Sequence, residues 1–253
     1  MMISGKEGML TERDEAILTD LYFTRMLSTQ QIAWLYFPSY ASAKQRLYQL
    51  RRYKGVIEPM TPETDLTVWT LTKPAFWRKA EFIDPEDRYR GFPATYFIRH
   101  MLDTNDLYAG LRDDLDRIFG DPTAWQWKDE ARLIQERSSK PNNSSKKTKK
   151  KQPDAELSFK GNHYFIERET KRSKATPEEL DDKVDGYRRY FGRLGEPEGE
   201  REVIVACDLE RDKDRVLEAA DKYDVDLSAG TVEGITKYLI QKAKDAAAPK
   251  VSQ

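Results

Sequence analysis

The stretch Pro153–Leu194 decides the fold, and it begins PDAELSFKGNHYFIERETK over residues 153–171. Two runs of alternating apolar and polar residues flank Gly161-Asn162, which predicts a β-hairpin centred on that pair. In this register Asp154 lies opposite Glu169 and Glu156 opposite Glu167. Because strand side chains alternate, all four carboxylates share one face. The other face is mostly apolar and carries Ala155, Leu157 and Phe159 opposite Arg168, Ile166 and Tyr164.

The acidic face of this hairpin has two interpretations. Like charges opposite each other repel, so such a cluster is either solvated or neutralised by a cation or another group. Mg²⁺ prefers carboxylate oxygens and takes one or two of them from the protein. An Asp followed, after a short spacing, by Glu-x-Glu in a strand is how many metal-dependent nucleases present their ligands. A magnesium site and an exposed acidic face of an ordinary hairpin both stay open.

The segment after the hairpin predicts a helix. Thr176 is placed to cap it, Pro177 sits at its first position, and Glu179 is placed for the reciprocal capping bond. The apolar residues at helical spacing are Leu180, Val184, Tyr187, Phe191 and Leu194. Lys183 lies beside that stripe, where it either reaches toward the acidic cluster or is solvated.

The N-terminal part predicts a winged helix. Cap signals at Thr11, Ser28 and Ser39 open three short helices, Gly55 ends the third, and two strands follow within residues 56–71. In this fold the third helix enters the major groove and the ribbon touches the backbone of double-stranded DNA. The predicted DNA-binding residues of that helix are Lys44, Gln45, Arg46, Gln49 and Arg52. The alternative is a winged helix used for protein contacts.

The remaining elements place the hairpin inside a larger sheet. A long amphipathic helix is predicted over Thr95–Phe119, and Trp125–Ile134 indicates a strand and its exit. Val203–Cys207 is predicted as a buried strand parallel to the second hairpin strand, with further helices and a short strand after it. This order puts the carboxylates at the centre of the sheet.

The segment Ser138–Gln152 contains no apolar residue and is predicted to be a disordered insertion. Its lysines, Lys147 and Lys150 among them, are candidate contacts to DNA phosphates by counterion release. The alternative is a solvated insertion without a binding role.

Composition limits the class of protein. The 253 residues carry a formal net charge of -1, so any basic surface must be local. The single cysteine, Cys207, excludes an internal disulfide, and two histidines argue against a His-rich metal site. With neither a signal peptide nor a long apolar run, we expect a soluble cytoplasmic protein without membrane contact.

Several of these segments together resemble the replication-relaxation family of plasmid and mobile-element proteins. The segments that carry the resemblance are the N-terminal winged helix, Arg99–Leu102, Trp125–Leu133, Pro153–Ala155, Ile166–Thr170, and Lys183 with Tyr187. The resemblance implies DNA binding in the initiation of plasmid replication and in DNA relaxation. It predicts a winged-helix domain with connector over residues 1–92, an α/β domain over 93–245 and a tail over 246–253.

The second half also resembles the restriction-endonuclease-like fold, a mixed sheet flanked by helices. The resemblance implies that Asp154 and Glu167 bind Mg²⁺ and that Asp154, Glu167, Glu169 and Lys183 form a catalytic site. The usual lysine of the Asp…Glu-x-Lys pattern falls on Glu169. Three interpretations stay open: Glu169 serves there as a ligand or base, as in some restriction enzymes; Lys171 or Lys183 replaces the lysine; or the nuclease fold is retained only for DNA or protein binding.

Three functions therefore stay open. They are a DNA-nicking replication factor, a non-catalytic DNA-binding regulator, and an adaptor whose acidic face binds a basic partner. Replication or mobilisation proteins are candidate partners, and a homodimer is left open.

Overall fold

The computed structural model describes residues 10–60, 66–89, 98–138, 153–170, 176–194, 199–223 and 225–248. In these ranges the chain is mixed α/β, as predicted, with one antiparallel sheet and one mixed sheet. The predicted insertion at Ser138–Gln152, apart from Ser138 itself, lies outside the described residues, as does most of the predicted tail.

Three short helices open the N-terminal unit: α1 (Glu12–Thr24), α2 (Thr29–Tyr36) and α3 (Tyr40–Gln49). Each begins at a predicted cap, because the hydroxyls of Thr11, Ser28 and Ser39 accept hydrogen bonds from backbone N–H groups three residues later. A π-helical turn, Leu50–Lys54, extends α3 and ends at Gly55, whose φ of 58° is left-handed.

A small antiparallel sheet completes this unit. Its strands are β1 (Leu27–Ser28), β2 (Ile57–Met60) and β3 (Val68–Leu71), in the order β1-β3-β2. Helix α4 (Lys73–Ala80) follows. Trp69 is fully buried, and its indole N–H donates to the hydroxyl of Thr29 over 2.9 Å. The element order of this part of the unit is α1-β1-α2-α3-β2-β3.

Helix α5 (Ile98–Phe119) contains the division between the two compact units, Met1–Asn105 and Asp106–Gln253. The predicted division between residues 92 and 93 lies outside the described residues. The first turns of α5 pack with the N-terminal unit. Met101 and Leu102 lie against Met26 and Val68, and the amide of Gln31 donates to the carbonyl of Leu102 over 2.8 Å.

The C-terminal unit is built on a five-stranded sheet of order β4-β5-β6-β7-β8. The strands are β4 (Trp125–Asp129), β5 (Ala155–Phe159), β6 (Asn162–Glu169), β7 (Arg201–Cys207) and β8 (Leu227–Thr231). The first three are antiparallel, whereas β6 and β7 are parallel, as predicted, and so are β7 and β8. The second hairpin strand is therefore the central strand, as predicted.

Four helices accompany this sheet: α6 (Glu130–Ser138), α7 (Pro177–Leu194), α8 (Glu210–Tyr223) and α9 (Val232–Ala247). Tyr187 of α7 and Val216 of α8 pack against Phe165, Val203 and Val205 on one face. The other face packs against α9 and the later turns of α5. There the centroids of the Phe119 and Phe159 rings lie 5.5 Å apart. Helix α6 was not predicted; the sequence indicated only the end of a strand there.

The hairpin register differs from the predicted one by two residues. The turn is Lys160-Gly161, with φ values of 51° and 81°, and Phe159 pairs with Asn162. Two successive residues of positive φ are what a tight two-residue hairpin turn needs. Asn162 is used elsewhere, since its side-chain oxygen accepts from the backbone N–H of Glu200 over 2.9 Å. A shift of two leaves every side chain on its predicted face.

Among the residues that the structure describes, no helix is both long enough and apolar enough to cross a bilayer.

Candidate functional site

Three carboxylates come together at the end of the central strand. Glu167 and Glu169 lie two residues apart on β6, so they point to the same face, and both are buried. Asp154 precedes β5, and its backbone N–H donates to the carbonyl of Ile166 over 2.9 Å. The Asp154 carboxylate accepts the backbone N–H of Arg168 over 2.8 Å. This bond fixes Asp154 beside β6 between the two glutamates.

Helix α7 brings a lysine and a tyrosine to these glutamates. The amino group of Lys183 lies 2.6 Å from Oε2 of Glu167 and also bonds Oε1 of Glu169. The hydroxyl of Tyr187, one turn further along α7, donates to Oε1 of Glu167. Lys183 therefore reaches toward the acidic face, one of the two alternatives that the sequence left open. We call Asp154, Glu167, Glu169, Lys183 and Tyr187 the acidic cluster.

The charge of Lys183 is fixed by its surroundings. Burial alone would lower the pKa of its amino group, but Glu167, Glu169 and Asp154 together raise that pKa above its usual value. The amino group therefore stays protonated at neutral pH and balances part of the negative charge. The nearby thiol of Cys207 has its pKa raised to about 12 by burial and by the charges of Glu169 and Asp212. A thiol of that pKa is not a nucleophile at neutral pH.

Glu156 shares the predicted face but is not part of the acidic cluster. It pairs with Phe165 across the hairpin, and its Oε1 lies 2.8 Å from Nδ1 of His163. The two-residue register shift accounts for this, because it moves Glu156 away from the predicted position opposite Glu167.

Arg168 has a role that the sequence did not indicate. Its buried guanidinium donates to the carbonyl of Ala206 over 2.9 Å, to the carbonyl of Glu169 over 3.0 Å, and to the carboxylate of Asp208. These bonds join the ends of β6 and β7 beside the acidic cluster. The sequence placed Arg168 only as a member of the core face.

The residues suit Mg²⁺ by chemical type but not by arrangement. Carboxylate oxygens are the ligands that Mg²⁺ prefers. Here, however, Glu167 binds Lys183 and Tyr187, Glu169 binds Lys183, and Asp154 accepts a backbone N–H. Across the described ranges, no group of three or more His, Cys, Asp or Glu side chains is placed to hold a metal ion. As arranged, the acidic cluster does not fit a metal ion.

The predicted DNA-binding residues of α3 fall into two groups. Lys44, Gln45 and Arg52 are exposed, together with Arg51. Tyr40 and Tyr48 are also exposed, at 43% and 45% of their residue surface. From Tyr40 to Lys54 the sequence contains no Asp or Glu. This exposed set (Tyr40, Lys44, Gln45, Tyr48, Arg51 and Arg52) is the α3 surface.

Arg46 and Gln49 are half-buried and make hydrogen bonds within the N-terminal unit. The guanidinium of Arg46 donates through Nε to Oδ1 of Asp14 over 2.9 Å, and through Nη1 to the side-chain oxygen of Gln49 over 3.0 Å. Asp14 is fully buried and also accepts the backbone N–H of Thr11 over 2.8 Å. Arg46 thus ties α3 to the start of α1.

The remaining predicted site residues, Lys147 and Lys150, and the alternative lysine Lys171 lie outside the described residues.

A second cluster, in which a lysine and a tyrosine again bond two glutamates, lies on the opposite face of the sheet. The hydroxyl of Tyr238 donates to the Glu202 carboxylate, with distances of 2.9 and 3.0 Å to its two oxygens, and Lys242 bonds Glu200. This cluster was not predicted, because Lys242 lies 42 residues from Glu200 along the chain.

The architecture is thus a helical unit with a small antiparallel sheet, joined to an α/β sheet with buried carboxylates on its central strand. The sequence model of one family, described as replication-relaxation, matches residues 18–206, more than half of the chain. The chain therefore belongs to the replication-relaxation family. Membership indicates a role in the replication or relaxation of plasmids or mobile elements. Comparison with curated proteins gave no match, and neither did comparison with solved structures.

Proposed function

We propose that this protein binds double-stranded DNA through the α3 surface while acting in the replication or relaxation of a plasmid or mobile element. The observation that carries the proposal is the exposure of Lys44, Gln45, Arg51 and Arg52 on a helix segment without acidic residues. Such a surface attracts phosphates even though the whole chain is close to neutral.

The order of elements supports this use of α3. In winged-helix proteins the third helix lies in the major groove and the ribbon that follows touches the backbone. Lys44, Arg51 and Arg52 would contact phosphates, and Gln45 is of the type that pairs with adenine. Arg46 holds this helix to α1 by donating to Asp14, and it also donates to the side-chain oxygen of Gln49.

Binding of a labelled duplex, followed by fluorescence anisotropy over a range of salt concentrations, tests this proposal. We expect salt-sensitive binding that weakens when Lys44 or Arg52 is replaced by alanine. Lys237 is the matched control, because it is an exposed lysine on α9, in the other unit.

A second candidate function is metal-dependent nicking of DNA, favoured by the position of Asp154, Glu167, Glu169 and Lys183 at the central strand. Mg²⁺, if used, would be held by Asp154 and Glu167, and Lys183 would first have to leave Glu167.

Supercoiled plasmid incubated with Mg²⁺ or Mn²⁺ tests the second candidate. Nicked product that disappears in Asp154→Ala and Glu167→Ala, yet persists in Glu156→Ala, would support a nuclease. Intact plasmid in a sample that still binds DNA would instead favour a non-catalytic regulator. Pull-down experiments would test contacts with replication or mobilisation proteins, or with a basic partner at the acidic face. Sedimentation would test whether the protein forms a homodimer.

A further inference from the structure

Two buried glutamates lie two residues apart on one face of β6, and their negative charges must be balanced by positive charge. Glu167 and Glu169 are only 2% and 7% exposed, so water does little to screen their repulsion. A divalent cation would supply the missing charge in many proteins. In this protein the positive charge comes from the chain itself, because Lys183 bonds one oxygen of each glutamate.

The position of Lys183 is maintained by its neighbours. Its side chain is only 19% exposed. Lys183 lies one helical turn before Tyr187, whose hydroxyl donates to the other carboxylate oxygen of Glu167. A cation that binds either glutamate would therefore lie close to the ammonium group. Two positive charges a few ångströms apart near a protein surface repel by several times the thermal energy.

We propose that Lys183 is the built-in counter-ion of Glu167 and Glu169 and keeps divalent cations off these carboxylates.

The cluster on the opposite face of the sheet supports this role for lysine. There Glu200 and Glu202 are again two residues apart, Lys242 bonds Glu200, and Tyr238 donates to Glu202. In both places a helix supplies a lysine and a tyrosine four residues apart. On each face, a lysine from a covering helix lies within ion-pair distance of both glutamates.

The test is Mn²⁺ binding by the full-length protein without DNA, measured by electron paramagnetic resonance of the free ion. We expect Lys183→Met to bind Mn²⁺ at least about tenfold more tightly than the unmodified protein, because the repelling charge is gone. The double variant Lys183→Met/Glu167→Gln should lose the gain, and Lys237→Met should behave like the unmodified protein. Lys183→Gln, which keeps a hydrogen-bond donor, carries the same expectation and replaces Lys183→Met if that variant does not fold.

The inference is overturned if both Lys183 variants, shown to be folded by circular dichroism, bind Mn²⁺ no more tightly than the unmodified protein. Because DNA is absent from this experiment, its failure is separate from failure of DNA binding at the α3 surface. A nuclease would have to displace Lys183, so the same measurement also bears on the second candidate function.

Discussion

The amino group of Lys183 lies 2.6 Å from Oε2 of Glu167, on the central strand of the sheet. This contact joins α7 to β6 through two charged groups that are both largely removed from water. A pair of this kind is weak evidence for net stability, but removal of one partner leaves an uncompensated buried charge. It is therefore a point at which single substitutions have large effects.

Lys183→Met should destabilise the protein by about 3 kcal/mol in buffer containing EDTA, because Glu167 and Glu169 then lack a counter-ion. Urea unfolding followed by circular dichroism measures the change. Added Mn²⁺ should restore part of the loss. An unfolding midpoint equal to that of the unmodified protein would contradict the counter-ion role.

Tyr187→Phe should lower the free energy of unfolding by about 1–3 kcal/mol, since it removes a buried donor from Glu167 and keeps the ring. The comparison is Tyr48→Phe, because Tyr48 is an exposed residue, at 45%. We expect urea unfolding to separate the two variants clearly. Equal midpoints would mean that the Tyr187 hydroxyl adds nothing to the cluster.

Asp14 should make the N-terminal unit sensitive to acid. Burial would raise the pKa of its carboxyl, but hydrogen bonds from Arg46 and Thr11 outweigh burial and lower that pKa below its usual 3.8. A lowered carboxyl pKa stabilises the fold fully above the usual value, and the contribution is lost as the pH falls through the folded-state pKa.

When the pH is lowered below 3.8, the urea concentration at the unfolding midpoint of the unmodified protein should therefore decrease. Protonation of Asp14 should account for part of this decrease. In Asp14→Asn that part of the acid dependence should disappear, and the midpoint at neutral pH should be lower. Parallel acid profiles of the two proteins would argue against a stabilising Asp14–Arg46 pair.

Cys207 should resist alkylation in the folded protein, because its pKa is raised to about 12 and it is buried. Iodoacetamide at pH 8, with mass spectrometry, should label it only after unfolding in urea. Since the chain contains one cysteine, the readout is unambiguous. Rapid labelling of the native protein would show that the end of β7 unfolds locally and exposes Cys207 to solvent.

Local sequence signals predicted the helix starts well. The capping residues Thr11, Ser28 and Thr176 bond groups three residues away, so their partners are visible in the sequence itself. The central position of the Glu167 strand was also predictable, because a strand, a capped helix and a buried strand in succession favour a parallel crossover.

Contacts between distant residues were not predictable in the same way. Gly161-Asn162 has the composition of a two-residue turn, but Asn162 instead accepts a hydrogen bond from Glu200, which lies 38 residues away. Arg46 reads as a DNA contact because its partner Asp14 is 32 residues distant. Lys183 was a candidate for the acidic cluster, but only the fold shows that it bridges two glutamates.

The most direct test of the proposed function compares DNA binding by Lys44→Ala, Arg52→Ala, Arg46→Ala and Lys237→Ala with that of the unmodified protein. Duplex anisotropy between low and moderate salt gives both the affinity and its salt dependence. We expect Lys44→Ala and Arg52→Ala each to reduce the slope of log affinity against log salt by about one, without loss of stability. Arg46→Ala should instead lower the unfolding midpoint, and Lys237→Ala should change neither quantity. Salt-sensitive binding that is unchanged in a Lys44→Ala/Arg52→Ala double variant would contradict binding through α3, and absence of duplex binding would contradict the proposed function itself.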